Sequence, residues 1–165
     1  MIAAWLHGFR PRQNGVGHGL RAAAPDGTGN RMALHVELVA PEREIWSGEA
    51  RVLVAKTLDG DIGVLAGHAP VIGLLAPGSV VEIIGTGGED GSEGRVSAAV
   101  SGGFLSVADD RASVLAQQAQ LGSEVDVPQV RADLDQELSG AGPGEEETDA
   151  ARYARALLRA AGEQG

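Results

Sequence analysis

The sequence predicts a β + α fold, an antiparallel β-sandwich or barrel followed by a C-terminal α-helical hairpin. Short segments rich in apolar residues recur between residues 33 and 117, and turn-forming residues separate them. Beyond residue 122 the apolar residues recur every three or four positions, which is typical of amphipathic helices. Aromatic residues make up only 3% of the chain, so the core must be built from Val, Leu, Ile and Ala.

The first strand is predicted in LHVELVA, where Leu34, Val36 and Leu38 share one face. The segment that follows, EIWSGEARVLVAKT, predicts two strand-like pieces separated by a turn at Ser47 and Gly48. These two pieces follow the first strand in a series of short predicted strands.

The later strands are predicted in SVVEIIG, RVSAAV, FLSVADD and RASVLAQQ. The glycine-rich segment GTGGEDGSEG, which follows the first of them, is too polar to be buried and predicts an exposed hairpin loop. Asp109 and Asp110 predict a turn between the last two strands.

The segment SEVDVPQVRADLDQELSG predicts a first helix, with Asp126 as its cap, Pro128 in its first turn and Gly140 at its end. The apolar side chains of this helix form one narrow stripe: Val127, Val130, Leu134 and Leu138.

A second helix is predicted in AARYARALLRAAG, after the flexible connector AGPGEEETD. Its predicted apolar face consists of Ala150, Tyr153, Ala154, Leu157, Leu158 and Ala161. Two short helices cannot form a core alone, so they must rest on the sandwich, on each other or on another chain. We expect the two helices and their connector to form a mobile element.

Residues 1–31 are predicted to be a disordered leader or an over-extended start. The segment is rich in Gly and Pro, lacks lasting periodicity and carries four Arg against one acid, Asp26. Such a composition fits a transit peptide. The clean strand pattern that opens at Met32 favours a translation start there instead. The predicted domains are then the sandwich, residues 32–121, and the hairpin, residues 122–165.

The charge and composition argue against several classes of function. A formal net charge of −10 argues against nucleic-acid binding, because a phosphate backbone would repel this surface. The chain has no cysteine, which rules out disulfides, zinc-thiolate sites and thiol catalysis. No apolar run reaches the roughly 18 residues that span a bilayer. We expect the chain to reach a membrane only through a partner.

The segment LDGDIGVLAGHAP concentrates the polar residues from which a site could be built. His68 with Asp59 or Asp61 imitates a catalytic dyad, but no serine stands in a nucleophile context. The spacing of His35 and His68 matches no metal-ligand pattern. We therefore predict no catalytic residue and no metal ligand. Two interpretations of His68 remain: it orders the turn before Pro70, or it contacts another protein.

Four stretches of the chain resemble the epsilon subunit of F-type ATP synthases. GDIGVLAGHAPVIGLLAPG is similar to the signature of that family, and LHVELVAPEREIWSGEA is similar to its first two strands. VSGGFLSVADDRASVLAQQA resembles its Gly-Gly-Phe hairpin and next strand, and GSEVD the start of its helical tail. They follow the family's order and spacing over residues 33–127. IWSGEA and LAQQAQLGSEVD look most like the actinobacterial branch.

The resemblance implies an architecture and a set of partners. It implies a sandwich of about ten strands that sits on the rotor beside the gamma subunit and touches the polar loops of the membrane c-ring. Asp61 falls where the family has a carboxylate facing the ring. The rigid turn of the same contact region is matched by four residues: Gly67, His68, Ala69 and Pro70. The chain would be a non-catalytic, peripheral subunit at the cytoplasmic face of the bacterial plasma membrane.

The resemblance also implies that the hairpin takes two positions. It lies folded against the sandwich, or it extends beside gamma into the catalytic head, where it blocks ATP hydrolysis. Arg152, Arg155 and Arg159 would then meet acidic residues of the alpha and beta subunits; the alternative is a solvated helix face.

Some members of the family bind regulatory ATP at the hairpin through an Asp-x-x-Arg-Ala segment. Here Asp126 and Arg131 are five residues apart, and Pro128 stands three before the arginine. On a helix a separation of five turns two side chains about 140° apart. This departure argues against bound ATP, and no cofactor is predicted.

The predicted function is that of the epsilon subunit, which couples proton flow through the c-ring to ATP synthesis and restrains ATP hydrolysis. The alternative is a free-standing β-sandwich protein-binding module whose helical tail recognises another partner, because sandwiches serve many functions.

Overall fold

Alternating apolar and polar residues determine which face of most strands is buried. The computed structural model describes residues 33–87, 93–140 and 146–163. The predicted leader, residues 1–31, and the centre of the predicted glycine-rich loop lie outside the described residues.

Ten strands, one 3₁₀ turn and two helices follow one another along the described chain. The strands are β1 (Leu34–Ala40), β2 (Arg43–Ala50), β3 (Val52–Thr57), β4 (Gly60–Leu65), β5 (Val71–Leu75), β6 (Ser79–Gly87), β7 (Glu93–Val100), β8 (Gly103–Ala108), β9 (Arg111–Ala116) and β10 (Ala119–Leu121). The 3₁₀ turn Gly122–Glu124 leads to α1 (Val127–Gly140), and α2 (Asp149–Ala160) completes the hairpin.

The strands form a continuous sheet in the order β10-β7-β6-β3-β5-β8-β9-β1-β2, with β4 beside β3. The sheet folds over between β3 and β5, where only Thr57 and Leu75 are paired. We call β4, β3, β6, β7 and β10 the first layer and β5, β8, β9, β1 and β2 the second layer. The described pairs are antiparallel except β1 with β9, which are parallel. The predicted ten-stranded sandwich with a helical hairpin is confirmed.

The core between the layers is aliphatic, as predicted. The largest fully buried side chains of the described chain are all Leu, Ile or Val: Leu34, Leu38, Leu53, Ile83, Leu105, Val36, Val64, Val81, Val100 and Val114. Trp46 is only partly buried and packs against the margin of this cluster. Because the buried residues alternate along the strands, the residues between them must face outwards.

The predicted turn at Ser47 and Gly48 is wrong. β2 runs through both residues and pairs Gly48 with Val36 of β1, and the chain leaves the strand only at Arg51. A Cβ on Gly48 would lie 3.0 Å from Cη2 of Trp46. The glycine therefore makes room for the indole ring inside a strand, which sequence alone cannot distinguish from a turn glycine.

The predicted turn at Asp109 and Asp110 is confirmed. The two residues join β8 to β9 as a two-residue hairpin, with Ala108 opposite Arg111. Both aspartates have positive φ, 50° and 58°, which suits the tight hairpin turns that match the twist of the strands. Aspartate tolerates this backbone better than most residues, because its short side chain bonds locally.

The first helix begins at its predicted cap, and the second begins at Thr148, a cap that was not predicted. The carboxylate of Asp126 accepts a hydrogen bond from the backbone N–H of Gln129 at 3.2 Å, at the start of α1. At the start of α2 the Thr148 hydroxyl accepts one from the N–H of Ala151 at 3.1 Å.

The apolar face of α2 is wider than the prediction, and Ala150 is exposed rather than part of it. The buried residues of this helix are Ala151, Ala154, Ala156, Leu157, Leu158 and Ala160. Because α2 packs against both the first layer and α1, it buries more than one stripe. α1 has no fully buried residue, and Leu138 remains 43% exposed.

Candidate interaction surfaces

The predicted contact residues, Asp61 and Gly67–Pro70, do not lie on a single loop. β4 occupies its middle, with Asp61 near the start of the strand and Gly67–Pro70 beyond its end. From Asp61 to Leu65 the strand alone spans about 13 Å, since each residue of a strand advances about 3.3 Å. The structure therefore separates Asp61 from the Gly-His-Ala-Pro turn and places them at opposite ends of β4.

Asp61 is exposed and stands opposite Lys56 in the β3–β4 hairpin. Within the described residues no hydrogen bond or ion pair holds its carboxylate. The tip of the same hairpin exposes Leu58, whose side chain is 62% accessible. This end of the sandwich thus presents an unengaged carboxylate beside an apolar side chain.

The turn Gly67–Pro70 is fixed by backbone hydrogen bonds. Gly67 has φ 81°, and its N–H donates to Oδ1 of Asp110 at 2.5 Å. The N–H of His68 donates to the carbonyl of Leu65 at 3.1 Å, and its Nδ1 lies 2.7 Å from the carbonyl oxygen of Ala69. This geometry favours the interpretation that His68 orders the turn. In the part of the chain that the structure describes, no group of His, Asp or Glu side chains is arranged to hold a metal ion.

An apolar surface, not localised by sequence reasoning, lies on the outer side of the second layer. Ile72 of β5 is 77% exposed, the highest value among the described large apolar side chains. In register across the strands, Leu74 stands opposite Phe104 and Phe104 opposite Leu115, and all three are about half exposed. We call Ile72, Leu74, Phe104, Leu115 and the neighbouring Leu58 the apolar face.

The sequence signal for this surface lies in which residues of β5 and β8 alternate with the buried ones. The outward residues Ile72 and Leu74 of β5 and Phe104 of β8 are apolar, where a strand with one solvated face carries polar side chains. An exposed cluster of large apolar residues marks a binding surface more often than isolated ones do.

A polar border adjoins the apolar face on the same layer. Ser106 stands opposite Ile72, and Ser113 lies between Ser106 and Glu37. Glu37 accepts hydrogen bonds from Arg111 at 2.8 Å and from Ser113 at 3.4 Å. An apolar centre with a hydrogen-bonded polar rim is the usual anatomy of a protein–protein interface.

The hairpin lies docked on the outer side of the first layer. Ala156 and Ala160 of α2 pack with Ala99 of β7 and Val80 of β6. α1 packs mainly on α2, and Tyr153 lies half-buried between the helices and the sandwich, where burial raises the pKa of its phenol. The two outer sides of the sandwich therefore differ: one is covered by α2 and the other is bare in this chain.

Each arginine of α2 has a partner in the docked position. Arg152 pairs with Asp149 at 3.0 Å and Arg155 with Glu147 at 2.7 Å, both within the hairpin. Arg159 reaches the sandwich, where its Nη2 donates to the carbonyl of Gly78 at 2.8 Å.

Asp126 and Arg131 do not converge on one site. Asp126 caps α1, whereas Arg131 forms an ion pair with Glu163, just beyond α2. None of the helices in the described ranges is both long and apolar enough to cross a membrane.

The chain thus belongs to the class of proteins in which a two-layered β-sandwich precedes a C-terminal helical hairpin. Residues 33–122 match the family model of the β-sandwich domain of the ATP synthase delta/epsilon chain. The ATP synthase epsilon chain of Thermobifida fusca is 50% identical over 130 residues, which cover 78% of this chain and 91% of the relative. That of Streptomyces griseus is 47% identical over 126 residues, 76% of this chain and 91% of the relative.

A cryo-EM structure of the Euglena gracilis mitochondrial ATP synthase (OSCP, F1 and c-ring) contains a chain of similar fold. Its TM-score is 0.56 at 23% identity, covering 81% of this chain and 80% of that chain. The protein belongs to the family of ATP synthase epsilon chains, and the resemblance to actinobacterial members is confirmed.

The hydrogen bond from Gly67 to Asp110 should contribute measurably to the free energy of unfolding. Asp110→Ala loses this bond and also places alanine at positive φ, whereas Asp109→Ala carries only the backbone cost. We expect Asp110→Ala to lower the free energy of unfolding in urea by about 1 kcal/mol more than Asp109→Ala. Asp110→Asn, which keeps the acceptor and tolerates this backbone, should restore most of the difference. Equal losses in the two alanine variants would show that the bond contributes nothing.

Proposed function

We propose that this chain is the epsilon subunit of a bacterial proton-translocating ATP synthase and works as a non-catalytic part of its central stalk. The observation that carries the proposal is the identity of 50% to an ATP synthase epsilon chain over nine-tenths of that relative's length. Its role is mechanical: it holds gamma to the c-ring, so that torque from proton flow reaches the catalytic head. It reaches the cytoplasmic face of the plasma membrane only through the complex.

The apolar face is the surface that we assign to gamma. It is the one group of neighbouring large side chains in the described chain that remains half or more exposed without cover. Leaving such side chains in water is costly, and a partner that covers them gains about 25 cal/mol for each Å² buried. Turn Gly67–Pro70 leads directly into β5 of this face, so we assign the turn to the same contact.

Asp61 is the residue that we assign to the c-ring. A carboxylate without a partner in its own chain is ready to pair with a basic or amide side chain of the ring loops. Asp61 lies beside Leu58, so the ring contact would adjoin the Leu58 edge of the apolar face, away from the Gly-His-Ala-Pro turn.

The hairpin is proposed to act as a brake on hydrolysis by leaving the sandwich and reaching the alpha and beta subunits. Most of its charged contacts lie within the hairpin itself, so they survive such a movement. Arg159 is the exception, and it becomes free to meet an acidic partner.

We propose that the hairpin works without bound ATP. The groove of about 700 Å³ between α1, α2 and the sandwich is lined by the carboxylates of Asp133, Glu137 and Asp149. These would repel a triphosphate. Arg131, the candidate phosphate ligand, is already paired with Glu163.

Substitution in the apolar face tests the gamma contact. Ile72→Glu should weaken binding to purified gamma by about thirtyfold or more, because it buries a charge within the interface. Leu138→Glu is the matched control, since Leu138 is 43% exposed but lies on α1 rather than in the second layer. Affinity is measured by titration calorimetry. Equal effects of the two variants would remove the assignment, and no binding of the unaltered chain to gamma would favour the free-standing module.

Reversal of the charge at Asp61 tests the ring contact. Asp61→Lys should reduce proton-driven ATP synthesis in membrane vesicles, while the free energy of unfolding of the isolated chain changes by less than about 0.5 kcal/mol. Asp59→Lys makes the same charge change in the same hairpin and should leave synthesis unaltered. A large loss of stability would make Asp61 structural, and unchanged synthesis would remove it from the ring contact.

Deletion of the hairpin tests the brake. A chain that ends at Glu124 keeps every strand and the 3₁₀ turn. Complexes assembled with it should hydrolyse ATP faster than complexes with the full chain, at equal subunit content. No increase in hydrolysis would show that the hairpin does not restrain this enzyme.

A further inference from the structure

α2 touches the sandwich through its backbone as well as through its side chains. A Cβ built on Gly122 would lie 2.0 Å from the carbonyl oxygen of Ala160 and 2.4 Å from its carbonyl carbon. A Cβ on Gly78 would lie 2.6 Å from the backbone carbonyl group and the Cβ of Arg152. No side chain can occupy these positions unless the helix or the segment that carries the glycine moves.

The two glycines lie at separate points along the helix. Gly78 belongs to the turn between β5 and β6 and meets the N-terminal half of α2, whereas Gly122 follows β10 and meets its last residue. Small side chains fill the space between them, because Ala99 of β7 contacts Ala156 and Ala160. Small residues thus lie at close contacts between the helix and the sandwich, with Leu157 and Val80 packed beside them.

From this geometry we infer that Gly78 and Gly122 form a docking seat for α2, which sets how readily the hairpin leaves the sandwich. Its regulatory meaning rests on the proposed braking function. Arg159 fastens the helix to the same place through its hydrogen bond to the carbonyl of Gly78. Since α1 packs mainly on α2, the seat of one helix holds the whole hairpin.

A substitution at Gly122 tests the docking seat more cleanly than one at Gly78. Gly78 has φ 62°, so any substitution there also strains its turn. Gly122 has no such positive φ, and its own backbone accepts alanine. The atoms nearest to an added methyl group belong to Ala160 and Ala161, at the end of α2 and just after it.

The experiment is hydrogen exchange followed by mass spectrometry on the isolated full-length chain. In Gly122→Ala the amides of α2 should exchange about tenfold faster or more, because the helix can no longer seat, while those of β1 keep their rate. Gly63→Ala and Gly140→Ala are matched controls, since a Cβ at either position meets nothing within 4 Å. Both controls should leave α2 unchanged.

Unaltered exchange of α2 in Gly122→Ala would overturn the inference, and so would an equal acceleration in β1, which would make the glycine a general stability residue. Arg159→Gln provides a second variant that adds no atoms to the seat. It should accelerate exchange of α2 by about threefold or more, since it loses a charged hydrogen bond to the sandwich. Arg155→Gln, whose ion pair lies within the hairpin, should accelerate it less. An equal or smaller effect of Arg159→Gln would count against the seat.

ATP hydrolysis by complexes assembled with Gly122→Ala separates this inference from the proposed function. Faster exchange in α2 together with a changed rate of hydrolysis supports both. Faster exchange in α2 with an unchanged rate of hydrolysis supports the docking seat but overturns the proposed braking function.

Discussion

The packing of the two inner faces of the sandwich determines where every functional side chain of this protein points. Leu, Ile and Val fill the space between the layers, so the intervening residues of most strands face outwards. The molecule therefore has two outer sides, and their chemistry differs. Small residues on the first layer admit a helix at close range, whereas Ile72, Leu74 and Phe104 on the second layer have no cover in this chain.

Most strands and both helices could be predicted from the sequence because their apolar periods are strong and local, whereas no local period predicted β4, β5 or β10. LHVELVA and the aspartate turn gave correct elements, since alternation and turn chemistry act over a few residues. Gly48 was misassigned because a glycine can serve either a turn or a neighbouring side chain, and only the position of Trp46 distinguishes the two. The parallel pairing of β1 with β9 joins strands that are far apart along the chain, and no local pattern encodes it.

The candidate site could be predicted in composition but not in arrangement. The sequence identified Asp61, His68 and the arginines of α2, yet it could not show that β4 holds Asp61 and His68 apart. Nor could it show that Arg155 pairs within the hairpin while Arg159 reaches the sandwich, although both occur on the same helix. Such distinctions depend on which element packs against which, and that is decided by the core of the whole domain.

The distribution of contacts in the hairpin argues that it moves as one unit. Arg131 with Glu163 and Thr148 with Glu137 join the two helices to each other, so these contacts do not oppose release from the sandwich. What does oppose release is one hydrogen bond from Arg159 and the burial of the apolar face of α2, in which Leu157 and Leu158 accompany four alanines. A close fit at the glycine seat, together with few polar bonds across it, suits a switch between two positions.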